Sequence, residues 1–122
     1  MIQLRSVLKP ADNSGAKALK VIGIPGSNKK IAHLGDVVNA VVDRVDPKYG
    51  IVKDSEKVRA VIVRTRKERR RKDGSYVRFG DNAGVIVDTQ GNPRGTRIFG
   101  PIAREVKEAG FSRIASLAQE VV

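Results

Sequence analysis

The chain has no cysteine and no tryptophan among its 122 residues, and only one histidine, two tyrosines and three phenylalanines. Without cysteine there is no disulfide and no thiolate metal site, a composition compatible with a reducing compartment. Aromatics make up 4% of the sequence, fewer than a module that binds single strands by stacking bases normally carries, so backbone and shape recognition are favoured over base-by-base reading. No stretch approaches the roughly 18 apolar residues of a membrane span, and Met1 to Pro10 lack a charged region followed by a long apolar run. A soluble, intracellular protein with no membrane partner is expected. The solitary His33 sits between Ala32 and Leu34 with no clustered carboxylates beside it, and a usable metal site needs several convergent ligands. Asp36, Asp43, Asp46, Asp54 and Glu56 are spread over separate turns, and Gly91, Gly95 and Gly100 lack the spacing of a nucleotide-binding fingerprint. No catalytic residue, metal or cofactor is expected, and the chain reads as a non-enzyme.

What the chain has in excess is positive charge. From Arg64 to Lys72 it reads Arg-Thr-Arg-Lys-Glu-Arg-Arg-Arg-Lys, seven cations in nine residues, five of them Arg, in a protein of net charge +11. Like charges packed this closely repel unless an anionic partner neutralises them, and a phosphate backbone is the commonest such partner. Arg suits it because the planar guanidinium bonds two oxygens at once and stacks on bases.

At 122 residues and 40% hydrophobic content the chain fits one domain with one core. Leu19 to Ile24, Val37 to Val42, Val58 to Val63 and Val85 to Val87 are short Val/Ile-rich runs bounded by Gly, Asn, Asp and Pro, and read as strands. Asp12-Asn13-Ser14-Gly15 is a tight turn after a first strand near Ser6 to Leu8; Pro25 to Asn28 and Pro47 to Gly50 are further turns. Asp73-Gly74 is a strong hairpin signal, with the basic run on the outgoing arm and Ser75 to Phe79 on the return. Five or more short antiparallel strands joined this way predict a small barrel, because closure removes exposed sheet edges.

After Asp88 the texture changes. Residues 90–95 form a Gly/Pro loop; beyond Pro101, Ile102, Val106 and Ala109 have helical spacing, with Gly110 at a natural stop. Ser112 is placed to cap a second helix that turns Ile114, Leu117 and Ala118 inward. Residues 1–90 are thus expected to form barrel and basic ribbon, and 91–122 a loop and short helices laid against them in the same domain. Asn82, within Asp81-Asn82-Ala83-Gly84, reads as a turn residue bonded to local backbone rather than as an RNA contact.

Taken in order, these residues resemble a known family. Ala60-Val61-Ile62-Val63, then Asp73-Gly74, Phe79, Asn82 and Val85-Ile86 at fixed spacing are similar to the signature of the universal large-subunit ribosomal protein number fourteen. Ala11 to Ala16, Gly35-Asp36-Val37, Arg94 to Pro101 and Arg104-Glu105 extend the resemblance over essentially the whole chain. The pattern departs from the family at Lys72, where a Pro often precedes the Asp-Gly turn, at Ser55-Glu56, which replaces Gly-Asp, and at Gln119, which replaces a Pro.

The resemblance implies a closed five-stranded antiparallel β-barrel with a projecting basic β-ribbon and a C-terminal region of short α-helices. It implies a structural constituent of the large ribosomal subunit, of bacterial or organellar type, in the cytoplasm or an organelle. Such a protein binds large-subunit ribosomal RNA, lies beside large-subunit protein number nineteen, and reaches small-subunit ribosomal RNA through bridges. It also implies a docking surface for a subunit-joining inhibitor of the ribosome silencing type, at Thr96, Arg97, Arg113 and Ser116. The RNA-binding set expected on this chain is Lys57, Arg59, Arg64, Arg66, Lys67, Arg69, Arg70, Arg71, Lys72 and Arg78 on and below the ribbon, with Lys17, Lys20, Lys29 and Lys30 as a second patch. A free-standing basic RNA-binding barrel or RNA chaperone is the competing class, disfavoured by the few aromatics.

Overall fold

The computed structural model describes residues 2–26 and 30–122. Lys29 of the expected second basic patch, and the Ser27-Asn28 end of the expected turn before it, lie outside the described residues. Strands β1 (Val7–Pro10), β2 (Ala16–Gly23), β3 (Val37–Val45), β4 (Lys57–Arg64) and β7 (Ala83–Val87) close a barrel in the order β1-β2-β3-β4-β7. The expected five-stranded barrel is therefore present, with one difference. Four junctions are antiparallel, but β1 pairs with β7 in parallel. An odd number of strands that alternate in direction cannot close any other way.

Between β4 and β7 a two-stranded ribbon forms from β5 (Arg69–Arg70) and β6 (Tyr76–Val77), with Arg69 opposite Val77 and Arg70 opposite Tyr76. The Asp73-Gly74 turn joins them as expected. Gly74 sits at φ +89, and the Asp73 carboxylate accepts bonds from the Ser75 amide (3.0 Å) and hydroxyl (2.6 Å). Those bonds hold the Asp73 carboxyl below its usual range.

The C-terminal region holds β8 (Pro101–Ile102), α1 (Arg104–Glu108), α2 (Ser112–Leu117) and β9 (Glu120–Val121), with β8 and β9 paired in parallel. Several details differ from expectation. Ile102 belongs to a strand, because it pairs with Val121 and accepts the Val122 amide at 2.9 Å, while its neighbour Ala103 donates its amide to Val63 O at 3.0 Å before the helix begins. Ser112 lies inside α2; the residue at the cap is Phe111, which makes no side-chain capping bond. Leu117 is exposed, while Ile114 alone of α2 is fully buried. Gly110 does terminate α1, at φ +99.

The second half of β4 shows why this region folds where it does. Val58 and Ala60 alternate with exposed Lys57 and Arg59, as on a half-solvated strand, but from Ala60 to Arg64 every residue is buried. Ala60 and Ile62 point into the barrel interior with Leu8, Leu19, Val38 and Ile86. Val61 and Val63 point the other way, into a second cluster with Val85, Ile102, Val106 and Ile114. Each such aliphatic side chain stabilises the fold by roughly 1.5–3 kcal/mol on burial, which pins the C-terminal region to the outer face of β4 and β7. Gly35 lets α1 approach: at φ +85, a Cβ there would lie 2.9 Å from Glu105 O.

Ser55, one departure from the family pattern, occupies the left-handed region at φ +62. The turn has kept a conformation that favours glycine, with the Ser55 amide donating to Val42 O at 2.9 Å. Ser55→Gly removes the left-handed penalty at the cost of a more flexible unfolded chain, and should raise stability by about 0.5 kcal/mol. An unchanged or lowered urea midpoint would show that the serine side chain stabilises the turn by another route.

Candidate nucleic-acid interface

The ribbon has two faces, and they differ in chemistry. Arg70, Lys72, Tyr76 and Arg78 are exposed, whereas Arg69, Arg71, Val77 and Phe79 are half-buried, the alternation of a strand pair lying against a protein body. Val77 and Phe79 pack on the barrel core. Arg71 Nη2 donates to Glu105 Oε1 at 2.9 Å and to the Val122 carbonyl, and Arg69 Nε lies 3.6 Å from Glu105 Oε2. The ribbon's inner face is thus tethered to α1 and the C-terminus. At its root, Asn82 Oδ1 accepts from the Arg66 amide at 2.8 Å, and Phe79 N donates to Thr65 O at 3.0 Å. Asn82 does bond backbone, as expected, but across 16 residues rather than locally.

Arg64 is the most committed cation. Its side chain is 9% exposed. Nε donates to Asp81 Oδ1 at 2.9 Å, Nη2 to Asp81 Oδ2 at 3.4 Å, and Nη1 to the carbonyls of Phe99 (2.8 Å) and Pro101 (3.1 Å). Gly100 lies beside it at φ +79, a conformation that favours glycine, and a Cβ there would crowd Nη1 at 2.5 Å. Arg64 and Arg71, both in the expected RNA-binding set, are instead the bolts that hold loop 99–101 and the C-terminus in place. The basic run as a sequence does not distinguish them from their neighbours, because the distinction comes from Asp81 and Glu105.

The remaining cations are displayed. Arg66, Lys67, Arg70, Lys72 and Arg78 are exposed on the ribbon and its root, and Lys17, Lys20, Lys30, Lys57 and Arg59 on the barrel. Cross-strand register brings some of these together. Lys20 opposes Val41, which opposes Lys57, so two ammonium groups flank one valine on the outer surface. Lys17 and Arg66 line one shallow groove with Lys9 and Asn82, joining the barrel patch to the ribbon root. Arg59 shares another with Lys57 and Arg94. Lys9 and Arg94 are not in the expected RNA-binding set, since Lys9 is a single cation between Leu8 and Pro10 and Arg94 a single cation within the Gly/Pro loop. Arg94 Nη1 pairs with Glu56, whose carboxyl that bond holds below its usual range.

Asn13 presents the loop that carries Thr96 and Arg97. Its Oδ1 accepts from the amides of Thr96 (2.8 Å) and Arg97 (3.0 Å), and its Nδ2 donates to Thr96 Oγ1 at 2.8 Å. Neighbouring Asp12 is buried and accepts from the Ser14 hydroxyl (2.7 Å) and the Ile86 amide (3.0 Å); burial pushes its carboxyl up despite those bonds. Thr96, Arg97, Arg113 and Ser116 are all exposed. The Ser116 hydroxyl donates to Arg113 O at 2.8 Å, whereas the Thr96 hydroxyl accepts from Asn13 and keeps its own proton, so that hydroxyl and the two guanidinium groups are the available donors. The C-terminal segment returns beside this loop: Pro101 and Ile102 pair with Glu120 and Val121, and Gly100 N donates to Gln119 Oε1 at 3.3 Å.

Among the described residues no group of three or more His, Cys, Asp or Glu side chains converges on a point that could hold a metal ion, and no helix is long and apolar enough to cross a membrane. His33 donates its amide to Asp36 Oδ2 at 2.8 Å, a turn contact. What the fold and surface define is a strongly basic β-barrel that displays cations on a tethered ribbon, and its similarities are to ribosomal proteins. The family model described as Ribosomal protein L14p/L23e matches residues 1–122. The chain is also 56% identical over 122 residues to the protein named large ribosomal subunit protein uL14 of Aquifex aeolicus (strain VF5), covering 100% of both chains. The chain belongs to the Ribosomal protein L14p/L23e family.

Proposed function

We propose that this chain is a structural constituent of the large ribosomal subunit, that it holds large-subunit ribosomal RNA with the outer face of its ribbon and the basic rows of its barrel, and that the surface of Thr96, Arg97, Arg113 and Ser116 contributes to the face meeting the small subunit. The observation that carries this reading is the sorting of the ribbon's charge. Arg71 is locked to Glu105 and the C-terminus, while Arg70, Lys72 and Arg78 face solvent with no ion-pair partner among the described residues. Charge arranged in this way stabilises the fold on one side and is left for phosphate on the other. The relative's name, a protein of the large subunit, supports the same assignment. Because A-form RNA hides its base edges in a deep groove, these cations read shape and phosphate spacing more than sequence. Arg64 has no part in that contact, and its role is internal.

Thr96, Arg97, Arg113 and Ser116 form the second functional surface in this reading, shared by bridges to small-subunit ribosomal RNA and by a subunit-joining inhibitor, with large-subunit protein number nineteen as a neighbour of the chain. The organisation fits a protein that works inside the ribosome of a bacterial cytoplasm or of an organelle. Replacing Arg97 and Arg113 together by Ala should leave incorporation into large subunits intact but weaken joining to small subunits, or binding of the inhibitor, by a few kcal/mol, the range for two charged anchors at an interface. Gradient fractions of large subunits carrying the double variant, tested for joining, decide the point. A variant that never enters large subunits would put these arginines in the RNA-binding surface.

A further inference from the structure

Of the alternating exposed residues Arg70, Lys72, Tyr76 and Arg78 on the ribbon, Tyr76 is the one that is not a cation. Tyr76 is 64% exposed, more than any other large hydrophobic side chain among the described residues. It stands directly opposite Arg70 across the β5–β6 pair, and Lys72 and Arg78 are exposed on the same face. Its neighbour in the strand, Val77, packs on the core, so the seating of Val77 fixes the register that turns Tyr76 outward. No cation among the described residues covers its ring: the ring–cation contact found there is Lys48 over Tyr49, at 6.0 Å. The ring is therefore largely solvent-exposed, on a surface that is otherwise arranged for phosphate.

We infer that Tyr76 is a stacking platform for one unpaired nucleobase of the RNA held by the ribbon, with Arg70, Lys72 and Arg78 gripping the phosphates on either side of that nucleotide. The chemistry is that of single-strand binding on a small scale. An aromatic ring is attracted to any base through its π face, while cations at strand spacing meet the backbone. A ring held on a tethered ribbon gives up little freedom on binding, and a base already splayed from a loop or bulge gives up no pairing. The low aromatic content of the chain does not oppose this, because a single base needs a single ring. The inference rests on the reading of the ribbon as an RNA-binding face and adds to it a contact with a base.

The test separates the two. In a Tyr49→Phe background Tyr76 is the only tyrosine, and its emission is followed while large-subunit ribosomal RNA is added. Stacking predicts strong quenching. With Tyr49 retained, Tyr76→Leu keeps an apolar strand residue, so the unfolding midpoint should not move, yet affinity for that RNA should fall about tenfold with the salt dependence unchanged. Tyr76→Phe should bind like the parent. Unquenched emission together with full affinity in Tyr76→Leu overturns the stacking assignment, as does a Tyr76→Phe variant as weak as Tyr76→Leu, which would make the hydroxyl the contact. If removing the neighbouring cations flattens the salt dependence while Tyr76→Leu is silent, only the stacking fails and the phosphate reading stands.

Discussion

A protein with Arg70, Lys72 and Arg78 all replaced by Ala is expected to fold normally and to bind large-subunit ribosomal RNA on the order of a hundredfold more weakly near 0.1 M salt. All three side chains are exposed, and none appears in an ion pair among the described residues, so their removal opens no cavity and strands no buried partner. For every phosphate that is no longer neutralised, the slope of log affinity against log salt should shrink by about 0.7 to 0.9, giving a total drop of about two to three. The contrast with Arg71 sharpens the expectation. Arg71→Ala removes a charge already neutralised by Glu105, and should lower stability while leaving the slope nearly intact. Equal slopes for the parent and the triple variant would mean that the outer ribbon face does not touch phosphate.

Arg64→Met should destabilise the protein by about 3 kcal/mol, although it keeps most of the aliphatic stem. The substitution takes a charged donor from the carbonyls of Phe99 and Pro101 and leaves Asp81 without its guanidinium. Breaking one side of a buried pair typically costs about 3–5 kcal/mol; the lower end applies because the Asp81 side chain is 34% exposed and water can reach it. Arg64→Lys should recover only a fraction, since one ammonium cannot reproduce a planar fork that serves three groups. The urea midpoint reports the effect, and early amide exchange around Ile102 and Ala103 would place it in the C-terminal region. Full stability in Arg64→Met would show that the Val61, Ile102 and Ile114 cluster holds that region unaided.

The barrel was legible because its strands announce themselves locally. Val37 to Val42 and Val58 to Val63 are Val-rich runs between turn residues, and the Asp73-Gly74 turn is marked by its own two residues and closed by the adjacent Ser75. The parallel closure of β1 on β7 follows from strand parity once five strands are granted. The sorting of the ribbon's cations was not legible, because it depends on a carboxylate 34 residues away in sequence, Glu105 against Arg71. Asp81 lies 17 residues from Arg64, and nothing in its local pattern marks it as the partner. Strand β9 escaped notice for another reason: Glu120–Val121 is two residues long, too short to show a period. The same brevity hid the role of Ile102, whose spacing to Val106 suits a helix while its backbone belongs to a strand. Tyr76 was legible as a residue but not as an exposed ring, since its orientation follows from Val77 packing on the core.

If the outward face of the ribbon anchors this chain in the large subunit, salt should strip the protein from the subunit once that face is neutralised. The most direct measurement is a sedimentation profile of cell lysate after a high-salt wash, comparing tagged parent protein with the Arg70→Ala, Lys72→Ala, Arg78→Ala variant. The parent is expected to stay with large subunits through the wash, and the variant, still folded, to be released toward the top of the gradient as salt rises. A parent found in the free pool, or a variant retained as firmly as the parent, would contradict the anchoring role of the ribbon.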